Sequence, residues 1–321
     1  MKRACLILLF GLLAYPGLSA AQDYPKQAVT IIDPAAPGGI SDIAARVIGE
    51  QLTKKWGQQV VVENRPGAGG SIGVGVAARA KPDGYTLLMT TNGQFAVNPA
   101  VYPSLPYDPD NDFIPISMVT NNPMLLVANI NAPYNTFGEF VAAAKANPGQ
   151  IGWASPGVGT WNHLAGEWLQ AEAGIKLLHV PYKGGGPAGV AVAGGDVPVG
   201  LIAISSAMPH IRAGKMKALA LSTAKRSSMD PSWQTIAELG LPKFDAASWV
   251  GLFVPAKTPA PIVRKIEEDV ADIMAQPDVQ RKFTDLGIEV AVVRSADFTK
   301  RIKEDQVRAK TIVTDAAIQL Q

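Results

Sequence analysis

The chain has 321 residues, 17% of them charged, and a formal net charge of +2. With no run of Lys or Arg, it lacks the electrostatic footprint of a nucleic-acid-binding protein. Its one cysteine, Cys5, lies so near the N-terminus that disulfides, thiol catalysis and cysteine-ligated metals are excluded for the rest of the chain.

The N-terminal segment has three parts. Lys2 and Arg3 are basic, Leu6 to Leu13 is almost wholly apolar, and Ser19-Ala20-Ala21 supplies the small residues that a signal peptidase reads. This is the layout of a secretory signal, and its apolar core is too short to span a bilayer. Residues 1–21 are therefore expected to be removed after Ala21 on export to the periplasm. Losing Lys2 and Arg3 leaves the mature chain formally neutral. Cys5 does not stand at the cleavage point, which argues against a lipid anchor. No later segment has the roughly 18 apolar residues of a membrane helix, so the mature protein is expected to be soluble.

Val29 to Ile32 is a short β-branched run that reads as a strand, broken by Pro34 to Gly39. Ser41 or Asp42 is placed to cap the next helix, whose Ile43, Val47, Leu52 and Trp56 share one face. Val60-Val61-Val62 reads as a second buried strand and Tyr85 to Met89 as a third. Further strands are expected at Met124 to Val127, Ile151 to Trp153, Leu177 to Val180, Val199 to Ile204 and Ala218 to Leu221. Helices are expected at Phe137 to Ala146, stopped by Asn147-Pro148-Gly149, and at His163 to Ala173. Val250 to Val254 reads as a strand, and Ile262, Ile266, Val270 and Ile273 mark an amphipathic helix. Asp278 to Leu286 forms another helix, closed by Gly287. Ile288 to Val293 returns to the sheet, and Ser295 caps a long, charged last helix. This alternation argues for an α/β sheet with helices on its faces. The length fits two domains. Two lobes with no Ser/Gly linker imply that the chain crosses between them more than once.

Four polar, Gly-rich loops follow expected strands, where ligands bind in open α/β sheets. In Pro37-Gly38-Gly39-Ile40-Ser41-Asp42 the glycines let a ligand approach the backbone, and the N-terminus of the following helix suits a carboxylate. Asp42 is placed to cap that helix and to pair with Arg46 one turn on. Pro66-Gly67-Ala68-Gly69-Gly70-Ser71 lacks both a correctly placed G-x-G-x-x-G and the Lys-Ser/Thr of a phosphate loop, so nucleotide binding is not expected. In Ala154-Ser155-Pro156-Gly157-Val158-Gly159-Thr160, Ser155 and Thr160 offer hydroxyls and the glycines expose N–H groups. Ser155 with His163 lacks a nucleophile elbow and an orienting acid, so His163 reads as structural rather than catalytic. Tyr182-Lys183-Gly184-Gly185-Gly186 opens another helix as an anion-friendly nest, with Lys183 either meeting a carboxylate or simply solvated. His163, His179 and His210 show no ligand-like spacing, and no metal or cofactor is expected.

Several strings resemble the Bug family of extracytoplasmic solute receptors, which serve tripartite tricarboxylate transporters. They include Pro37-Gly38-Gly39 with Ser41-Asp42, Glu63-Asn64-Arg65-Pro66-Gly67-Ala68-Gly69-Gly70, and Pro82-Asp83-Gly84-Tyr85-Thr86-Leu87. Asn98-Pro99 with Tyr102, His163-Leu164-Ala165-Gly166-Glu167, His179-Val180-Pro181-Tyr182-Lys183-Gly184, Pro209 to Lys215, Trp249 to Pro255 and Thr258-Pro259 continue the likeness across the mature chain. The resemblance implies a type II periplasmic-binding-protein fold, with two α/β lobes, two crossovers and a ligand cleft. Lobe I is then residues 22–122 with 250–321, and lobe II is residues 123–249.

By the same resemblance, loops matching Ala36 to Asp42 (Ala36, Pro37, Gly38, Gly39, Ser41, Asp42) and Ser155 to Thr160 (Ser155, Gly157, Gly159, Thr160) grip a ligand carboxylate. A second grip comes from Tyr182, Lys183 and Gly184 and from Thr91, Asn92 and Phe95. Trp161 and His163 complete the candidate set. There are two departures from the family pattern. Where many relatives carry an acidic pair, this chain has Gly200-Leu201-Ile202-Ala203-Ile204, with no acid before Ser205, and Trp161 stands where small polar residues are common. Both count against an amino-acid ligand and favour an aromatic or long-chain carboxylate, with Trp161 or Phe95 against its body. The alternative is that Trp161 packs between lobes. The expected function is a monomeric, non-enzymatic receptor of a small carboxylate, a di-, tri- or aromatic carboxylate among them. Its expected partners are membrane permease subunits or, alternatively, a signalling sensor; the remaining alternative is an enzyme on the same fold.

Overall fold

The computed structural model describes residues 24–315; the expected signal segment lies outside them. In chain order the elements are β1 (Val29–Asp33), α1 (Ile40–Trp56), β2 (Val60–Asn64), α2 (Ser71–Ala78), β3 (Thr86–Thr91), α3 (Asn98–Val101) and β4 (Phe113–Asn129). Then come α4 (Phe137–Ala146), β5 (Gly152–Ser155), α5 (Trp161–Ala173), β6 (Leu178–Pro181), α6 (Gly185–Gly194), β7 (Val199–Ala203), α7 (Ile204–Arg212) and β8 (Met216–Leu221). The chain ends with β9 (Ala247–Pro255), α8 (Ala260–Met274), α9 (Pro277–Asp285), β10 (Val290–Arg294) and α10 (Ser295–Asp315).

The strands form one mixed sheet in the order β2-β1-β3-β9-β4-β7-β5-β6, with β8 and β10 also paired to β4. It has two halves that share β4. In the first, β1 lies parallel to β2 and β3, and β9 runs antiparallel between β3 and the early part of β4. In the second, β5 lies parallel to β6 and β7, and the late part of β4 pairs antiparallel with β7 and β8. The chain crosses between halves along β4 and returns through residues 222–246 into β9. α10 then lies along both halves. Phe298 and Ile302 pack with Phe95, Phe253 and Trp249 of the first, while Ala309 and Ile312 pack with the Trp153 and Phe140 core of the second. Asp305, fully buried on α10, accepts the indole N–H of Trp249 at 2.7 Å and pairs with Arg301.

Helix α4 spans the expected residues, with Thr136 capping the Glu139 amide. The expected face of α8 is buried at Ile262, Ile266, Val270 and Ile273. Three readings change. β2 is the edge strand, not a buried one, and Val61 stays 49% exposed. α1 buries Ala44, Ala45, Ile48 and Leu52 instead of Ile43 and Val47, because small residues bring the helix close to the sheet. β4 runs far beyond Met124 to Val127, its 17 residues including Pro115 and Pro123, which read as breaks in a sequence. Pro115 lies where the register with β9 shifts, so its missing N–H falls at an irregularity of the ladder.

Gly251 sits mid-strand in β9, where an added β-carbon would lie 2.3 Å from Phe298 Cζ. Gly251→Ala is expected to lower stability by about 1–3 kcal/mol through overpacking, measured by chemical denaturation; an unchanged midpoint would show that Phe298 has room to move.

Candidate ligand-binding cleft

The loop after β1 is braced from within. Asp33 is fully buried, and its carboxyl accepts the Ala35 amide at 3.2 Å, the Ser41 hydroxyl at 2.8 Å and the Asn64 side-chain amide at 3.1 Å. Burial pushes its pKa up to about 6 against the lowering effect of the Ser41 and Ala35 bonds. Asp42 accepts the Gly38 amide at 2.9 Å, Asn64 Nδ2 at 2.9 Å and Arg46 Nη2 at 2.9 Å. Burial alone would raise Asp42, but Arg46, Gly38 and Asn64 together hold it below its ordinary value. The third helical residue thus reaches back to the residue before the N-cap Gly39, like one half of a capping box. Ser41 and Asp42 spend their side chains on this brace, and the ligand-facing part of the loop is backbone.

The loop after β5 is held by two histidines. His179 Nε2 lies 2.7 Å from Ser155 Oγ, and His163 Nδ1 accepts the Gly159 amide at 3.2 Å. The two rings stack at 4.1 Å and 9°, with the Trp153 ring on both. Distant spacing in sequence hid this pair, and Ser155 meets His179 rather than His163. Gly157 donates its amide to Ser155 Oγ at 3.1 Å, and Thr160 donates its hydroxyl to the Gly157 carbonyl at 2.8 Å while capping the His163 amide. Thus the Gly157 and Gly159 amides are used within the loop and the His163 amide by its cap, which leaves the Trp161 and Asn162 amides at the start of α5. Ser155 is fully buried, and no acid orients its histidine among the described residues.

Two adjoining chambers open at the carboxyl ends of β1, β3, β5 and β7, sharing Asn162 and Ser248. The first, about 330 Å³, is lined by Pro34, Ala35, Thr91, Asn92, Thr160 and Trp161 among others. The second, about 280 Å³, receives the starts of three helices: Gly38 and Gly39 at α1, Gly185 and Gly186 at α6, and Ser205 and Ser206 at α7. Its remaining wall is mainly apolar, with Ile40, Ile43, Met124, Leu286 and Ile288. The Ser205 and Ser206 hydroxyls make no hydrogen bond to a described residue. None of the residues lining either chamber is charged. A larger groove of about 660 Å³ lies between α5 and α10, with the Arg308 guanidinium 4.9 Å above Trp168; it shares no residue with the cleft and lies at no strand end.

The floor is polar and tied to the backbone. Asn92, fully buried, donates to the Ala247 carbonyl at 3.0 Å and accepts the Ser248 hydroxyl, while Asn122 donates to the Ser248 carbonyl at 2.9 Å. Thr91 donates to Gln94 Oε1. Of the other candidate residues, Phe95 is turned away from the cleft and stacked on Phe253 at 4.2 Å in the core. Trp161 lines the first chamber but is almost fully buried, in an apolar cluster that also holds Ala96 and Val97 from the other half of the molecule. Its indole N–H has no partner among the described residues. Ala36, Pro37, Tyr182, Lys183 and Gly184 line neither chamber. Tyr182 and Gly184 instead donate their amides to the Ser155 and Pro156 carbonyls, aligning the two loops, and Lys183 is exposed. Ser205, Ser206, Asn162 and Ser248 were not foreseen. Ser205 and Ser206 carry a signal, two hydroxyls directly after the β7 run, that the loop-by-loop reading passed over.

A cleft at strand ends, between two sheet halves joined by a shared strand, is the architecture of a solute-binding protein, and solved structures of this shape include periplasmic binding proteins. The chain belongs to the tripartite tricarboxylate transporter receptor family, whose model, "Tripartite tricarboxylate transporter family receptor", matches residues 44–318. Protein BugT of Bordetella pertussis is 34% identical over 313 residues, covering 96% of each chain. An R. palustris protein solved with adipate superposes with a TM-score of 0.84 at 30% identity, over 92% of this chain and 99% of that one. MatC of Rhodopseudomonas palustris with bound malate gives 0.78 at 33% identity, over 90% and 100%.

Asn64 joins both buried carboxylates of the first loop. Asn64→Ala is expected to lower stability by about 1–3 kcal/mol by leaving Asp33 and Asp42 short of a donor, read from the shift in melting temperature. A pH effect follows from the histidines. Burial, aided in His163 by its neighbour His179, pushes each from 6.5 down to about 4. The unfolded chain then binds more protons below 6.5, so these groups stabilise the fold at neutral pH and that contribution is lost as pH falls toward about 4. Asp33, raised to about 6, acts in the opposite sense. The wild type is therefore expected to lose melting temperature more steeply than His163→Gln across this window; parallel curves would show that the ring takes a proton freely.

Proposed function

We propose that this protein is an exported periplasmic receptor that captures a small carboxylate between lobe I (22–122 with 250–321) and lobe II (123–249). On this reading residues 1–21 are the signal segment, the mature protein acts as a monomer without catalysis, and the liganded form docks the permease subunits of a tripartite transporter. The observation that carries it is a cleft without charged lining side chains into which helix N-termini converge. Unpaired N–H groups and aligned peptide dipoles at α1, α6 and α7 suit an anion, each end contributing about 0.3–1 kcal/mol. The free Ser205 and Ser206 hydroxyls add donors. Buried peptide groups replace the carboxylate's water without moving, so no lysine or arginine is required. Ligand then shifts the lobes toward a closed arrangement. The adipate and malate held by two structural neighbours fit the same chemistry. The buried Ser155–His179 contact lacks both access and an orienting acid, which favours a structural role over nucleophilic catalysis.

A thermal-shift panel of mono-, di-, tri- and aromatic carboxylates tests this. A ligand at 100 times its Kd is expected to add about 2.7 kcal/mol of stability, with stoichiometric binding and no product. A flat panel removes the carboxylate reading; a turned-over ligand removes the receptor one.

A further inference from the structure

The second chamber is closed on one side by a loop from the opposite half of the molecule. Residues 286–288 join α9 to β10, and β10 pairs with β4 alongside β9 in the first half of the sheet. Leu286 and Ile288 line the chamber, across from Gly185 and Ser206 of the second half. Between them, Gly287 seats directly on the first turn of α7. A β-carbon at Gly287 would lie 3.0 Å from Ser205 Cα and 3.3 Å from its amide nitrogen and Cβ. These are backbone and first-carbon atoms, which no side-chain rotation can clear. Outside this contact is a groove of about 340 Å³ lined by Ser205, Arg212, Thr284 and Gly287, so the loop is a thin partition with open space on both faces. The residue that follows fixes it: the Glu289 carbonyl accepts the Asn121 amide at 3.0 Å, and its carboxyl bonds the Ser227 hydroxyl on the returning segment.

We propose that residues 286–288 are the closing wall of the ligand chamber, and that Gly287 is a positioning residue for ligand binding. Without a side chain, the wall seats on α7 and the two halves meet. With one, it acts as a wedge that holds them apart without touching ligand. The proposal rests on the cleft being the ligand site. A wedge that lowers the closed fraction to a tenth raises the apparent Kd about tenfold.

Backbone strain must be separated from the wedge, because Gly287 has φ +72°. Asn tolerates this region better than other side chains, and Gly57, at φ +65° with nothing within 4 Å of its added carbon, measures the strain alone. The experiment compares wild type, Gly287→Asn and Gly57→Asn as full mature chains. Calorimetric titrations use adipate and malate, and small-angle X-ray scattering gives the radius of gyration without ligand. Gly287→Asn is expected to bind about tenfold or more weakly and to be more extended, while melting like Gly57→Asn. Affinity and radius equal to those of Gly57→Asn overturn the wall. Should Gly287→Asn not fold, Gly287→Ala is read the same way. If the wild type binds no carboxylate, the functional reading falls, and the scattering comparison alone decides the wall.

Discussion

Between Pro123 and Met124, strand β4 changes partners: β9 and β10 flank it up to Pro123, and β7 and β8 flank it from there on. An internal strand gives its N–H groups to neighbours on both sides, so it can exchange one partner for another most easily where an N–H is missing, and proline supplies that gap. The two sheet halves diverge from this point, and the cleft is the space they leave. Asn122, next to the exchange, ties it to Ser248 of β9, and Asn92 ties the end of β3 to Ala247. The floor is thereby a hydrogen-bonded seam between the halves.

The walls follow from the same economy. Most side-chain donors that line the first chamber are already engaged, Gln94 with Gly69, Asn162 with the Leu201 carbonyl and Thr160 with Gly157, while the Trp161 indole N–H has no partner among the described residues. The buried carboxylates Asp33 and Asp42 and the stacked histidines shape loops and leave the chambers uncharged. Groups not consumed this way are peptide N–H groups at helix starts and the serines of α7.

Much of this was legible in the sequence, because local rules governed it. Thr136 capping α4, the 3.6-residue period of α8 and the glycines after β1 each act over a few residues. What escaped depends on distant partners. β4 was read as a fragment because its prolines obey the partner exchange and a register shift, not a turn. Phe95 sits beside the cleft in sequence but is drawn inward by Phe113, Trp249 and Phe253, far along the chain. His179 meets Ser155 across 24 residues. Trp161, which the sequence leaves open between a ligand platform and an interlobe contact, both lines the first chamber and belongs to the apolar cluster that holds Ala96 and Val97. The whole-chain resemblance supplied the cleft that no single loop could.

A chamber without charged lining has a kinetic side. Long-range steering toward a binding site comes from net charge and is weakened by salt, with a screening length of about 10 Å at 0.1 M ionic strength. Without residues 1–21 the chain is formally neutral, and with a dipolar pocket it offers little such field. As a carboxylate receptor it would capture ligand at an unsteered diffusional rate, with the attraction arising only after water has been left behind. Its working affinity would then stay nearly constant as the surrounding ionic strength rises and falls.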